Sequence, residues 1–117
     1  MRKIGVQLYT VRETLKQDYL GTLKQVASIG YAGVELAGNM GGMSAPQLRR
    51  VMDDLGLKVI SGHCGVDAVN KDLERTLEDY ATLGANYLGV AWIGEEYRTK
   101  EGIVRAAKLM ERAAQEA

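Results

Sequence analysis

Phenylalanine is absent from this 117-residue chain, and cysteine, proline, histidine and tryptophan occur once each. A core must therefore be assembled from Leu, Ile, Val, Met and Ala. The lone Cys64 excludes an intrachain disulfide and suits a reducing compartment. Neither sign of charge is in excess, with 15 basic and 15 acidic residues and no block of either. That excludes binding to nucleic acid or anionic lipid by bulk electrostatics, though not a small charged pocket. No apolar run approaches the roughly 20 residues of a membrane helix. Met1-Arg2-Lys3 runs straight into a strand pattern, so no signal peptide is expected. These absences lead to the expectation of a cytoplasmic protein with no membrane partner, organised as one domain over residues 1–117.

Glycine, by contrast, is plentiful, at 14 residues against a norm of about 7%. Three glycines punctuate the chain. Gly30, Gly56 and Gly84 each follow an amphipathic stretch and precede a short apolar run, with spacings of 26 and 28 residues. The pattern predicts strands at 3–9, 33–36, 58–63 and 87–93, and helices at about 18–29, 44–55, 70–83 and 99–115. Ser44, Pro46 and Gln47 form a capping-box signal for the second helix. Asn70 and Thr99 are the expected caps of the third and fourth. A glycine after each of the first three helices suits a left-handed C-cap.

Strands separated by single helices run parallel. The order βαβαβαβα fits either a doubly wound open sheet, flavodoxin-like, or part of a (βα)8 barrel. A doubly wound sheet is covered on both faces and needs continuously apolar strands. Here Ile4, Val6 and Leu8 oppose Gly5, Gln7 and Tyr9, while Val34 and Leu36 oppose Gly33 and Glu35. Ser61 and His63 share a face, with Ile60 expected on the other. The fourth strand is less decided: Leu88, Val90 and Trp92 stand against Tyr87, Gly89 and Ala91. One apolar face and one small or polar face describe a barrel wall. A whole barrel takes about 250 residues, so the fold class expected is α/β, a (βα)4 half of a TIM barrel. Strands one and four are then unpaired edges. Edge-to-edge pairing of two copies would complete the (βα)8 barrel as a homo-oligomer.

Barrel sites sit at the C-terminal ends of the strands. The polar candidates there are Gln7, Tyr9, Glu35, Ser61 and His63, followed by Trp92, Glu95 and Glu96. A carboxylate between Val34 and Leu36 is costly unless paired. Glu35 is thus a site residue or half of an ion pair with Arg12 or a lysine. His63 suits a ligand, a proton shuttle or a hydroxyl hydrogen bond, against the plainer role of a bonded loop residue. Gln7 and Tyr9 divide evenly between site and wall. Trp92 would stack on a sugar ring or fill the barrel core. Cys64 points away from His63 and is expected under the helices. The glycine-rich loop Gly38–Met43 either holds an anion at a helix start or covers the barrel mouth. Glu35 and His63 are the only metal candidates, and two ligands alone would leave an ion mostly in water.

The stretch Ile4-Gly5-Val6-Gln7-Leu8-Tyr9-Thr10-Val11-Arg12-Glu13 resembles the opening strand of the sugar phosphate isomerase/epimerase family, the xylose-isomerase-like barrels. Gly30-Tyr31-Ala32-Gly33-Val34-Glu35-Leu36 and Ser61-Gly62-His63 extend the likeness, which covers the N-terminal half of a family member. The resemblance implies a small sugar as ligand and a divalent metal (Mn, Mg, Zn or Co) in the intact proteins. It places their metal ligands mainly on strands five to eight. No cofactor and little or no activity are therefore expected of this chain alone. Gln7, Tyr9, Glu35, His63 and Trp92 would be substrate-facing remnants. The alternative is a self-assembling (βα)4 module, natural or engineered, without ligand or catalysis.

Overall fold

The structure is a computed structural model that describes residues 2–117. Strands β1 (Gly5–Gln7), β2 (Gly33–Leu36), β3 (Lys58–Gly65) and β4 (Tyr87–Trp92) form one parallel sheet in the order β1-β2-β3-β4. Helices α1 (Arg12–Gln17) and α2 (Tyr19–Ile29) follow β1, and α3 (Ala45–Leu55) follows β2. Helices α4 (Val66–Lys71) and α5 (Leu73–Leu83) follow β3, and α6 (Lys100–Glu116) follows β4. Two 3-10 turns, Leu8–Val11 and Glu95–Tyr97, lead into α1 and α6. Among the described residues, no helix is long and apolar enough to cross a membrane.

Local signals fix where the helices begin and end. The Ser44 hydroxyl accepts from the Gln47 N–H, and the Gln47 side chain accepts from the Ser44 N–H, closing the capping box of α3. Such a cap contributes about 1 kcal/mol. Truncating a buried Leu or Met costs about 2–5 kcal/mol. The fully buried stripe of Leu48 and Met52 therefore outweighs the cap in holding α3 to the sheet. Gly30, Gly56 and Gly84 all end their helices in the left-handed conformation.

The third βα unit departs from expectation. Its helix is broken in two, and Asp72, not Asn70, caps the longer piece by accepting from the Arg75 N–H at 3.1 Å. Asn70 lies inside α4. The first unit has the same break. Asp18 caps α2 through the Gly21 N–H at 2.9 Å. Thr22 Oγ1 donates back to the Asp18 carbonyl as Thr76 Oγ1 does to that of Asp72. Asp18 and Asp72, Thr22 and Thr76, and Gly30 and Gly84 are each 54 residues apart. The first and third βα units thus share the same broken helix with the same landmarks.

Helices α2, α3 and α5 cover one face of the sheet, packing Leu23, Val26, Leu48, Met52, Tyr80 and Leu83 onto Val34, Leu36 and Val59. Cys64 packs against Val69 and Leu73 on that side, and burial pushes its thiol pKa up. Among the described residues, the other face carries no helix. Ile60 lies on this open face, not under the helices as its alternation implied. The β2–β3 register slips between Val34 and Glu35, leaving Ile60 as an extra residue. Its side chain lies across Gly5 and Gly33, where any Cβ would come within 2.8 Å of it.

Tyr80 of α5 presses its ring against Gly62, where a Cβ would collide with it. Its hydroxyl donates to the His63 carbonyl at 3.2 Å. Burial, then Cys64 and Asp79, raise its pKa to about 12. Tyr19, which donates to the Asn39 carbonyl at 2.8 Å, is likewise raised to about 12, by burial and then Tyr80. Both phenols thus keep their protons longer folded than unfolded. Their stabilisation is complete below the unfolded value near 10 and is lost as pH rises toward 12. The loss is on the order of 2–3 kcal/mol per residue. Alkaline denaturation followed by circular dichroism should show this steep fall. Tyr19→Phe and Tyr80→Phe should each flatten it; an unchanged slope in both would contradict the assignment.

Candidate functional site

Three strands deliver four polar side chains to one place on the open face. Gln7 ends β1, Glu35 is the penultimate residue of β2, and Ser61 and His63 lie on β3. The registers Gln7↔Glu35 and Glu35↔Ser61 set them side by side. They are joined in a continuous hydrogen-bonded chain. Gln7 Nε2 lies 3.3 Å from His63 Nδ1, and His63 Nε2 lies 3.1 Å from Glu35 Oε1. Glu35 Oε2 accepts a hydrogen bond from the Ser61 hydroxyl. Each carboxylate oxygen of Glu35 thus has a hydrogen-bonding partner within the sheet, Oε1 in His63 and Oε2 in Ser61. The alternative of an ion pair between Glu35 and Arg12 is not realised: Arg12 instead stacks 4.3 Å over the Tyr9 ring and meets Glu13 at 3.7 Å.

Proton positions along the chain follow from one backbone group. The Tyr9 N–H donates to Gln7 Oε1 at 2.9 Å. That orients the Gln7 amide with its nitrogen toward His63. An amide N–H can only donate, so His63 Nδ1 accepts. The imidazole proton of the neutral ring then sits on Nε2 and points at Glu35. This bond also explains why β1 is shorter than expected. Gln7 caps the 3-10 turn with its side chain, and Tyr9 belongs to that turn rather than to the strand.

Two members of the cluster, Gln7 and His63, line an open hollow of about 390 Å³ together with Tyr9, Gly38, Ala91 and Trp92, among others; Glu35 and Ser61 do not line it. Tyr9 and Trp92 stand at its rim, 57% and 61% exposed. Trp92 does not fill a core in this chain. The β3–β4 register slips between Cys64 and Gly65, with Ala91 as the extra residue, and Trp92 opens onto the hollow beneath Arg98, 5.1 Å from its ring. Glu95 and Glu96 lie in the following 3-10 turn and line no part of this hollow. A larger hollow of about 620 Å³ between α4, α5 and α6 contains none of the sheet's polar cluster. The glycine-rich loop is anchored by Tyr19 at Asn39, and the Gly41 N–H is taken by Asn39 Oδ1 at 2.8 Å.

A divalent metal does not fit this donor set. Both nitrogens of His63 and both oxygens of Glu35 already have partners. An ion would have to displace one of them. Among the described residues, no three His, Cys, Asp or Glu side chains are grouped to hold a metal. The arrangement is suited to exchanging hydrogen bonds and a proton with a hydroxylated ligand. Ser61 was visible in the sequence as a neighbour of His63, whereas the bond that orients Gln7 carries no sequence signal.

Because His63 is the only histidine, its ring nitrogens are directly assignable by ¹⁵N NMR. For the neutral imidazole the expected result is the Nε2–H tautomer, with Gln7→Leu letting the two tautomers mix. A dominant Nδ1–H form in the unsubstituted chain would overturn the hydrogen-bond order.

No protein-family profile and no curated relative matches the sequence. Solved structures do. One sugar phosphate isomerase/epimerase from Parabacteroides distasonis aligns over 97% of this chain and 51% of its own, with 23% identity and a TM-score of 0.66. A second protein described in the same words, from the same organism, aligns over 96% and 48%, with 20% identity and a TM-score of 0.61. This chain spans about half the length of the structures it matches. The likeness establishes the fold: four parallel βα units corresponding to half of an isomerase barrel.

Proposed function

We propose that this chain is the N-terminal half of a sugar phosphate isomerase/epimerase-like barrel and that a second copy closes it into eight strands. The supporting observation is the polar chain Gln7–His63–Glu35–Ser61 on a sheet face that no helix covers. In a closed barrel that face becomes the interior, and the strand ends bearing the cluster become the site. The ligand is a small sugar or sugar phosphate, with Glu35 and His63 meeting its hydroxyls and Tyr9 and Trp92 flanking it. The divalent metal of the intact proteins that the sequence resembles belongs mainly to strands five to eight of the barrel, beyond the four of this sheet. Little or no isomerase activity is expected without them. The protein works in the cytoplasm.

A second reading has its own support. The four polar groups satisfy one another, as they would in a self-assembling module with no ligand. Joint replacement, Glu35→Gln with His63→Gln, separates the two. Calorimetry against aldoses, ketoses and their phosphates should lose any heat seen with the unsubstituted chain. A change in stability alone would favour the module.

Association is tested by light scattering across a concentration series. The expected mass is twice the 12.8 kDa of one chain. A compact monomer at every concentration would overturn the second-copy reading.

A further inference from the structure

The strand order gives each helix a neighbour on either side, and at each end of the sheet one such place is empty. Which side chains point toward which neighbour follows from α3. Arg49 and Asp53 come directly after the buried Leu48 and Met52, and Arg49 reaches the Thr82 carbonyl of α5 at 3.3 Å. Each residue turns an α-helix by about 100°. A residue that follows a buried one therefore points to the next helix, and one that precedes a buried one points to the helix before. Helix α5 obeys the same rule, since Glu74 follows the buried Leu73 and lines the hollow shared with α6.

Applied to α6, the rule picks out an apolar stripe. Gly102 and Ala106 are buried, and the half-buried Leu109 and Ala113 continue their line. The residues that follow these four are Ile103, Ala107, Met110 and Ala114, which face the empty place beyond β4. Ile103 is 56% and Met110 37% exposed. Arg112, which precedes Ala113, points the other way and lines the hollow toward α4 and α5. The corresponding flank of α3 is ionic, the Arg49–Asp53 pair. At the opposite end of the sheet, α2 turns Gln25, which precedes the buried Val26, and one turn later Ile29 toward the free side. Ile29 is 72% exposed, and Ile4, just ahead of β1, is 64% exposed. Among the described residues, α3 and α5, which have neighbours on both sides, expose no large apolar side chain.

Resting on the second-copy reading above, we infer that the α6 stripe Ile103–Ala107–Met110–Ala114 of one copy docks on the free flank of the other copy's first unit, at Gln25 and Ile29 of α2 and at Ile4. A second copy is the occupant because both surfaces continue the free edges of one sheet, the stripe beyond β4 and the Ile4–Ile29 flank beyond β1. This chain accounts for 51% and 48% of the structures it matches, so one more set of four units completes their length. The alternation of large and small side chains along the stripe suits the interlocking of ridges and grooves between helices. In a closed pair the junction occurs twice, stripe to flank in each direction.

Substitution and mixing test this docking. Ile103→Asp with Met110→Asp should weaken the pair about tenfold or more, read as mass by light scattering across a concentration series. Val104→Asp is the control. Val104 is 50% exposed on the same helix but turned away from the sheet, and its substitution should leave the mass unchanged. Ile29→Asp should weaken association as the double variant does. These positions are exposed, so the variants should keep the circular dichroism of the unsubstituted chain. Mixing the double variant with Ile29→Asp should restore a pair, because one of the two junctions then joins an intact stripe to an intact flank. A monomeric unsubstituted chain defeats the second-copy reading itself. A dimer that the double variant leaves intact, that Val104→Asp disrupts as strongly, or that the mixture fails to restore because stripe meets stripe, defeats this docking alone.

Discussion

One constraint governs the molecule: a parallel sheet whose connections all return on the same side has helices on one face only. Consecutive right-handed βα crossovers in the order β1-β2-β3-β4 never change direction. The helices therefore cover Val34, Leu36 and Val59, and among the described residues no helix covers the opposite face. In an open sheet wound both ways, a reversal of strand order would have placed helices there too. Without that reversal, the remaining way to bury the second face is to curl the sheet until it meets itself. The residues on the open face agree with that outcome. Glycines at Gly5, Gly33 and Gly89 leave room for Ile60 and His63 to reach across them. Such layering, with one strand's side chain lying over its neighbours' glycines, is what packs a narrow barrel.

Much of this was legible because it depended on period and punctuation. Gly30, Gly56 and Gly84 marked the helix ends, and the alternation of Val34, Glu35 and Leu36 separated the two faces of β2. Features that were not legible depend on single extra residues or on side chains that bond locally. Ile60 could not be assigned to a face because the slip beside it is set by pairing with β2, which strict alternation cannot register. The same applies to Trp92 and the slip at Ala91. The break at Asp72, and the short helix α1 ahead of Asp18, where the first helix was expected to begin, were missed for a different reason. Each aspartate leaves the helical conformation for one residue and then restarts the helix by capping it, so the apolar period barely falters. The 54-residue repeat connects the two breaks, but it is evident only once the bent helices are seen.

Within the candidate site, residue identities were readable and their coupling was not. Gln7, Glu35, Ser61 and His63 stood out as polar groups on an otherwise small or apolar face. Nothing in their spacing revealed that they bond in sequence, since contact between Gln7 and His63 spans 56 positions. The support behind them was equally hidden. Gly62, unremarkable in the sequence, lets the Tyr80 ring close on β3, and the Tyr80 hydroxyl then holds the His63 carbonyl from the helix side. His63 is thus fixed from both faces of the sheet, its backbone by α5 and its ring by β1 and β2.

The direction of the polar chain limits what it can do. Starting from the Tyr9 N–H, each donor points toward Glu35: Gln7 to His63, His63 to Glu35, with Ser61 donating from the other side. The carboxylate is the terminus at which donated hydrogens converge. A hydroxylated ligand entering the hollow would meet Gln7 and His63, the two members of the chain that line it. A carboxylate or phosphate placed against Glu35 would instead meet like charge, with no proton between them. If the ligand carries an anionic group, that group must lie away from the floor. The cations at hand are Arg12 and Arg98, stacked on the two rim aromatics. The polar floor and the charged rim therefore make different demands of a ligand, hydroxyls inward and any anion outward, and both are set by the first half of the barrel alone.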